Sequence, residues 1–203
     1  MTHQIKQENT DARERVLTVA DRLFSERGYQ MVTLRDIAQK LGIRHASLYY
    51  HFPQGKEELY IEVTARRMQR YRVGLEAAIA DTDSDDWQVR LRAAARWLLA
   101  QHGMHLGRML QSDMPSISEE AAERLRVVIL GSLLQPLETI FRVVADPAKR
   151  GRSVTLAGMF LSLIEGIDNL PSQYVEGSKE ELADVVLDLL INGLHTTRET
   201  EEI

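Results

Sequence analysis

The chain has 203 residues, 44% hydrophobic and 27% charged, with a net charge of -5 and no cysteine. That composition argues against wholesale disorder and excludes disulfides and thiolate metal sites. No apolar run approaches the roughly 20 residues of a membrane span, and the opening "MTHQIKQENTDARER" lacks an apolar signal region, so a cytoplasmic address with no membrane partner is expected.

Charge is unevenly spread. Residues 1–70 hold 12 Lys and Arg against 9 Asp and Glu, whereas residues 71–203 hold 13 against 21. A basic N-terminal part on an acidic body is the asymmetry expected when one end meets a polyanion.

In chain order, "DARERVLTVADRLFSERGYQ" places Val16, Ala20, Leu23 and Phe24 at helical spacing, with Gly28 as a C-terminal stop. "VTLRDIAQKLG" reads as a short helix. Thr33 and Asp36 form a capping-box-like pair, Gly42 ends the helix, and Leu34, Ile37, Ala38 and Leu41 make its apolar face. "GIRH" is a tight connection, "HASLYYHF" a second short helix, and Pro53 with Gly55 a break. A long helix then runs from Lys56 toward Ala80.

"DTDSDD" is an acidic loop in which Asp85 and Gln88 offer the next cap. "WQVRLRAAARWLLAQHG" carries a stripe of Val89, Ala93, Trp97 and Ala100. "MHLGRMLQSDM" is a short helix ending before Pro115. From Ser116, a residue placed to cap with Glu119, one long helix is expected, kinked by Pro136 near Ser132. Two strongly apolar helices, Ser153–Leu170 and Lys179–His195, close the chain, the second with a Ser178–Glu181 capping box. No alternating pattern marks a strand. The expectation is an all-α protein of about nine helices, with a three-helix N-terminal domain over residues 1–55 and a larger helical body over residues 56–203.

Helix, tight glycine turn, helix is the helix-turn-helix unit. Leu48 and Phe52 lie four apart on one face and are expected to pack on Leu34, Ile37 and Leu41. That leaves His45, Ser47, Tyr50 and His51 outside, with Tyr49 beside the core. Serine and histidine donate and accept at base edges. Tyrosine offers a hydroxyl for phosphate and a ring for a thymine methyl. Arg44 in the turn suits bidentate contact, Thr33 stands at a helix N-terminus that favours phosphate, and Lys56 and the more peripheral Arg35 complete the candidate DNA-binding set.

The segment over roughly residues 13–60 closely resembles the N-terminal domain of the TetR family of bacterial transcriptional repressors. The resemblance rests on A-x-x-L-F-x-x-x-G-Y (Ala20–Tyr29), T-L-R-D-I-A (Thr33–Ala38), L-Y-Y-H-F (Leu48–Phe52) and K-E-E-L (Lys56–Leu59). It implies that His45, Ser47, Tyr49, Tyr50 and His51 match DNA-contact positions and that Thr33 and Lys56 match phosphate-clamping positions. "HFPQGKEEL" is slightly longer than the commonest form of this connection, which bears on the reach of Lys56. The resemblance further implies a homodimer made by the two C-terminal apolar helices, a palindromic double-stranded DNA operator, and a small-molecule effector held in the C-terminal body.

Trp97, Met104, His105, Arg108, Met109 and Met114 are the candidate effector-binding residues, an apolar set with two polar groups. Core packing is the competing role for the methionines. His102-x-x-His105 has metal-ligand spacing but no evident third ligand, so no metal is expected. No nucleophile–base pair is specified, so neither catalysis nor a cofactor is expected. The alternative from another class is a helical enzyme or a small-molecule-sequestering protein carrying a borrowed helix-turn-helix.

Overall fold

The computed structural model describes residues 2–101, 104–143 and 151–200, with side chains over 10–101, 104–143, 152–171 and 173–192. The fold is all-α, and no strand occurs among the described residues. The helices are α1 (Thr2–Met31), α2 (Leu34–Leu41), α3 (His45–His51), α4 (Lys56–Ala80), α5 (Trp87–Leu99), α6 (Leu106–Arg108), α7 (Glu119–Ile129), α8 (Gln135–Phe141), α9 (Gly151–Asn169) and α10 (Lys179–Thr200). None of the described helices is long and apolar enough to cross a membrane.

Two compact units divide the chain. One comprises Met1–Arg70 with His105–Val128, the other Tyr71–Met104 with Ile129–Ile203. The unit carrying the helix-turn-helix thus extends past residue 55 and takes in a remote segment. Its core is built from Val16, Ala20, Leu23 and Phe24 on α1, Ile37 on α2, Leu48 and Phe52 around α3, Leu59 and Val63 on α4, and Leu125 on α7. Each fully buried Leu, Ile or Phe contributes about 1.5–3 kcal/mol relative to exposure.

Local signals shape this unit much as the periodicity predicts. Thr33 Oγ1 accepts the Asp36 amide at 3.2 Å, and the Asp36 carboxylate accepts the Thr33 amide at 2.8 Å, so the capping box is complete. Such a cap contributes about 1 kcal/mol. Gly42 ends α2 at φ 68°, a left-handed conformation that suits glycine. Gly28 interrupts α1 at φ 80°, ψ 170°, and a last short turn continues to Met31.

In the second unit α5 packs on α8, α9 and α10. Its buried stripe is Leu91, Ala94, Ala95 and Leu98, not the expected Val89, Ala93, Trp97 and Ala100. Val89 and Ala100 are exposed, and Trp97 is half-buried. Both sets have helical spacing; the bulkier leucines decide which faces the core. Trp97 instead lies edge-on to Tyr71, ring centroids 6.0 Å apart, over Gly74, where a Cβ would overlap the indole. The cap of α5 is Asp86, whose carboxylate accepts the Gln88 amide at 2.9 Å, while the expected Asp85 pairs with Arg90.

The expected long helix after Ser116 begins later and is interrupted. Ser118, not Ser116, caps α7, accepting the Ala121 amide at 3.3 Å. Leu130–Leu134 then form a π-helical turn just before Pro136. Proline supplies no N–H to the Ser132 carbonyl, and the wider turn accommodates the loss. The short helix expected before Pro115 is α6 followed by a π-helical turn, Met109–Asp113, and a 3₁₀ turn, Met114–Ser116, that includes the proline. The Ser178–Glu181 capping box forms as expected, with N–H···O distances of 2.9 and 3.1 Å.

Helices α9 and α10 pack together, and Ala157, Phe160, Ile164, Ala183 and Leu187 are buried on them. They also leave large apolar groups in solvent. Met159 on α9 is 63% exposed, and Val185 and Leu189 on α10 are 57% and 69% exposed.

Candidate nucleic-acid interface

Leu48 and Phe52 are fully buried behind α3. With those two facing inward, helical geometry turns the rest of the segment outward. Arg44, His45 and Ser47 are exposed, Tyr49 and Tyr50 are 46% and 74% exposed, and His51 is half-buried. His45 meets the Tyr49 ring edge-on at 5.4 Å, and Tyr50 meets His51 at 5.1 Å. These contacts restrict the rings. Burial and the nearby Arg13 charge push the His51 imidazolium pKa below its ordinary value, favouring the neutral ring that both donates and accepts.

Arg13 also fixes the end of α3. Its guanidinium lies 4.9 Å from the Phe52 ring centroid and pairs with Glu62 on α4. Sequence reading missed this residue; its partners lie 39 and 49 positions away.

Thr33 is exposed, but its hydroxyl is engaged with Asp36, donating to the carboxylate at 2.6 Å. The hydrogen bonds from Thr33 hold the Asp36 carboxyl below its ordinary range. Arg35 is exposed on the outer side of α2. Lys56, at the first turn of α4, is half-buried, with Nζ 4.0 Å above the Tyr29 ring. Burial lowers its pKa, opposed by Asp113 and Asp36. Tyr29 is therefore part of the same face; its only sequence signal was the Gly28-Tyr29 pair in the motif.

The effector candidates divide between the two units. Trp97 and the buried Met104 belong to one, and His105, Arg108, Met109 and Met114 to the other. Met109 and Met114 are core residues of the first unit, and the Arg108 guanidinium donates to the α1 carbonyl oxygens of Phe24 and Ser25. An open groove of about 700 Å³ on α4 and α7, floored by Ile61, Ala65, Val127 and Val128, includes none of the six. His102 lies outside the described residues. Among those described, no group of three or more His, Asp or Glu side chains is placed to hold a metal.

The outer face of α3 carries hydrogen-bonding rings and a hydroxyl beside the small Ala46 and the Arg44 guanidinium, a set whose chemistry suits base edges and phosphates. Residues 16–63 match the model of bacterial regulatory proteins, tetR family. That match covers the N-terminal helices of this chain and places residues 16–63 as a tetR-type DNA-binding segment. It is 46% identical over 61 residues to the HTH-type transcriptional regulator LmrA of Bacillus subtilis, covering 30% of this chain and 32% of that protein. It is 46% identical over 48 residues to IcaR of Staphylococcus epidermidis, a negative regulator of the biofilm operon icaADBC, covering 24% and 25%. The match thus spans about a third or less of each of these relatives. Over a longer stretch, 87% of this chain and 96% of the other, the fold follows AibR crystallised with isovaleryl coenzyme A and operator DNA, at TM-score 0.68 and 20% identity. That likeness is one of fold.

Proposed function

We propose that this chain is a DNA-binding transcriptional regulator of the TetR family, a ligand-responsive repressor that binds a palindromic operator as a homodimer. The observation that carries the reading is the orientation of α3, with Leu48 and Phe52 wholly buried and Tyr49 and Tyr50 in solvent. His45, Ser47, Tyr49, Tyr50 and His51 contact the major groove, Arg44 reaches a base or phosphate, and Thr33, Arg35 and Lys56 face the backbone. The exposed Met159, Val185 and Leu189 on α9 and α10 support pairing of two copies through those helices.

In this reading residues 1–55 supply the DNA-reading helices, and residues 56–203 supply dimerisation and effector binding. The effector acts through α4, which runs from the first unit into the second. It shifts the separation of the two recognition helices away from the roughly 34–36 Å of one DNA turn. It acts only by preferring one of the two states.

The test is a gel shift on DNA flanking the chain's own gene. Combined Tyr49→Ala, Tyr50→Ala and His51→Ala substitution is expected to weaken specific binding at least about a hundredfold, at about 1–3 kcal/mol per good base contact, with the helical circular dichroism unchanged. Retained specific binding in that variant rejects the assigned face. A helical enzyme or sequestering protein would bind its small molecule and ignore the DNA.

A further inference from the structure

We propose that Asp113 and Arg108 are positioning residues for the DNA face: together they lock the C-terminal end of α1 and thereby seat Tyr29 beneath Lys56. The inference rests on the DNA-binding reading above and adds two residues, remote in sequence, that never touch the nucleic acid.

A helix end leaves carbonyl groups without intrahelical partners. Gly28 breaks α1, and Phe24, Ser25 and Glu26 lie in the turn just before the break. Arg108 answers them, with Nη2 donating to the oxygens of Ser25 and Phe24 and Nη1 to that of Glu26. A cation is also the favoured charge at a helix C-terminus.

Just past the break, the Tyr29 amide donates to Asp113 Oδ1 at 2.8 Å, and the Tyr60 hydroxyl donates to Oδ2 at 3.3 Å. Asp113 is 3% exposed, so its charge needs these donors. Arg108 Nε, buried and without a hydrogen bond, faces Asp113 Oδ2 at 4.0 Å and offsets that charge.

The π-helical turn Met109–Asp113 explains how one short segment reaches both targets. Residues five apart on an α-helix point about 140° away from each other. Widening the turn by one residue rotates Arg108 and Asp113 toward the same side. Gly28 is doubly constrained here: its φ is 80°, and a Cβ would approach Asp113 Oδ1 to 3.0 Å.

From Asp113 the order passes to the DNA face. The Tyr29 ring packs on Tyr60 at 4.9 Å and carries Lys56 Nζ at 4.0 Å. Two further links, Gln30 to Ser116 and Glu57 to Ser118, tie the same segments together. Released from Asp113, Tyr29 and the ammonium resting on it lose their fixed place.

The test uses the full chain and two readouts. In Asp113→Ala, exchange of the Tyr29 amide proton, followed by NMR, is expected to accelerate about ten- to a hundredfold, while the Leu48 amide is unaffected. Operator affinity is expected to fall about tenfold, and the slope of log-affinity against log-salt to become shallower by about one as Lys56 no longer neutralises its phosphate. Asp113→Asn restores an acceptor for the amide and is expected to recover most of both losses. Arg108→Gln, which leaves Asp113 in place, is expected to speed Tyr29 exchange severalfold and serves if the Ala variant does not fold. Unchanged Tyr29 exchange and an unchanged salt slope in the variants overturn the proposal. Failure of the unaltered chain to bind DNA would instead reject the regulator reading, and the exchange measurement would still decide the lock.

Discussion

Helix α3 and helix α10 both leave large side chains in solvent, and the chemistry of what they expose is opposite. On α3 the exposed groups are tyrosine, histidine and serine, each with donors or acceptors at the tip. On α10 the exposed apolar groups are Val185, Leu189 and Leu190, with no polar side-chain atom to offer. A hydrated polyanion rewards the first kind of surface and a second apolar surface rewards the other. Exposure alone therefore does not distinguish a reading face from a pairing face; the polarity of the exposed atoms does.

The largest expected effect breaks the apolar side of that contrast. Val185→Glu with Leu189→Glu places two carboxylates in the proposed dimer interface. Dimer affinity is expected to fall more than about a thousandfold, since each unpaired buried charge costs several kcal/mol. Sedimentation velocity at micromolar concentration would then give a monomer with unchanged helicity. A persistent dimer would move the interface elsewhere.

The next effect sharpens the polar side. Lys56→Met keeps the stem that lies along Tyr29 but removes the charge. Operator affinity is expected to fall about tenfold, and the salt slope to drop by about one for the single phosphate left unneutralised. Fluorescence anisotropy from about 50 to about 300 mM salt measures that slope. An unaltered value would show that Lys56 does not reach the DNA backbone.

The smallest effect concerns His51. Its folded pKa lies below the ordinary 6.5, so the folded chain prefers the neutral ring. Its contribution to stability is complete above 6.5 and declines as pH falls from there toward the folded pKa. His51→Gln is expected to make thermal stability less sensitive to acid below that pH. Identical pH dependence in melting curves of the two proteins would show that the ring is not desolvated.

Much of the local order was legible in the residues themselves. The Thr33–Asp36 and Ser178–Glu181 boxes, the Gly42 terminus and the burial of Leu48 and Phe52 each depend on partners within about one or two turns. The stripe of α5 was misread because two sets of residues share helical spacing and only the packed neighbours select between them. The caps at Asp86 and Ser118 were missed by one and two positions, where adjacent acids and serines compete for the same amides. Nothing local marks Asp113: its amide partner is 84 residues away, and its burial follows from the packing of Leu106–Ser116 against the end of α1.

By itself the sequence determined that the chain is helical, where most helices begin and end, and which side of α3 faces outward. Those outcomes follow from hydrogen bonds and side-chain periodicity over a few residues. Only the tertiary structure decided that residues 105–128 join the N-terminal helices, that Arg108 and Asp113 cap α1, and that Lys56 rests on Tyr29. A buried charge can sit only where distant donors converge on it, and the chain path that brings them together is not written in any short window of residues.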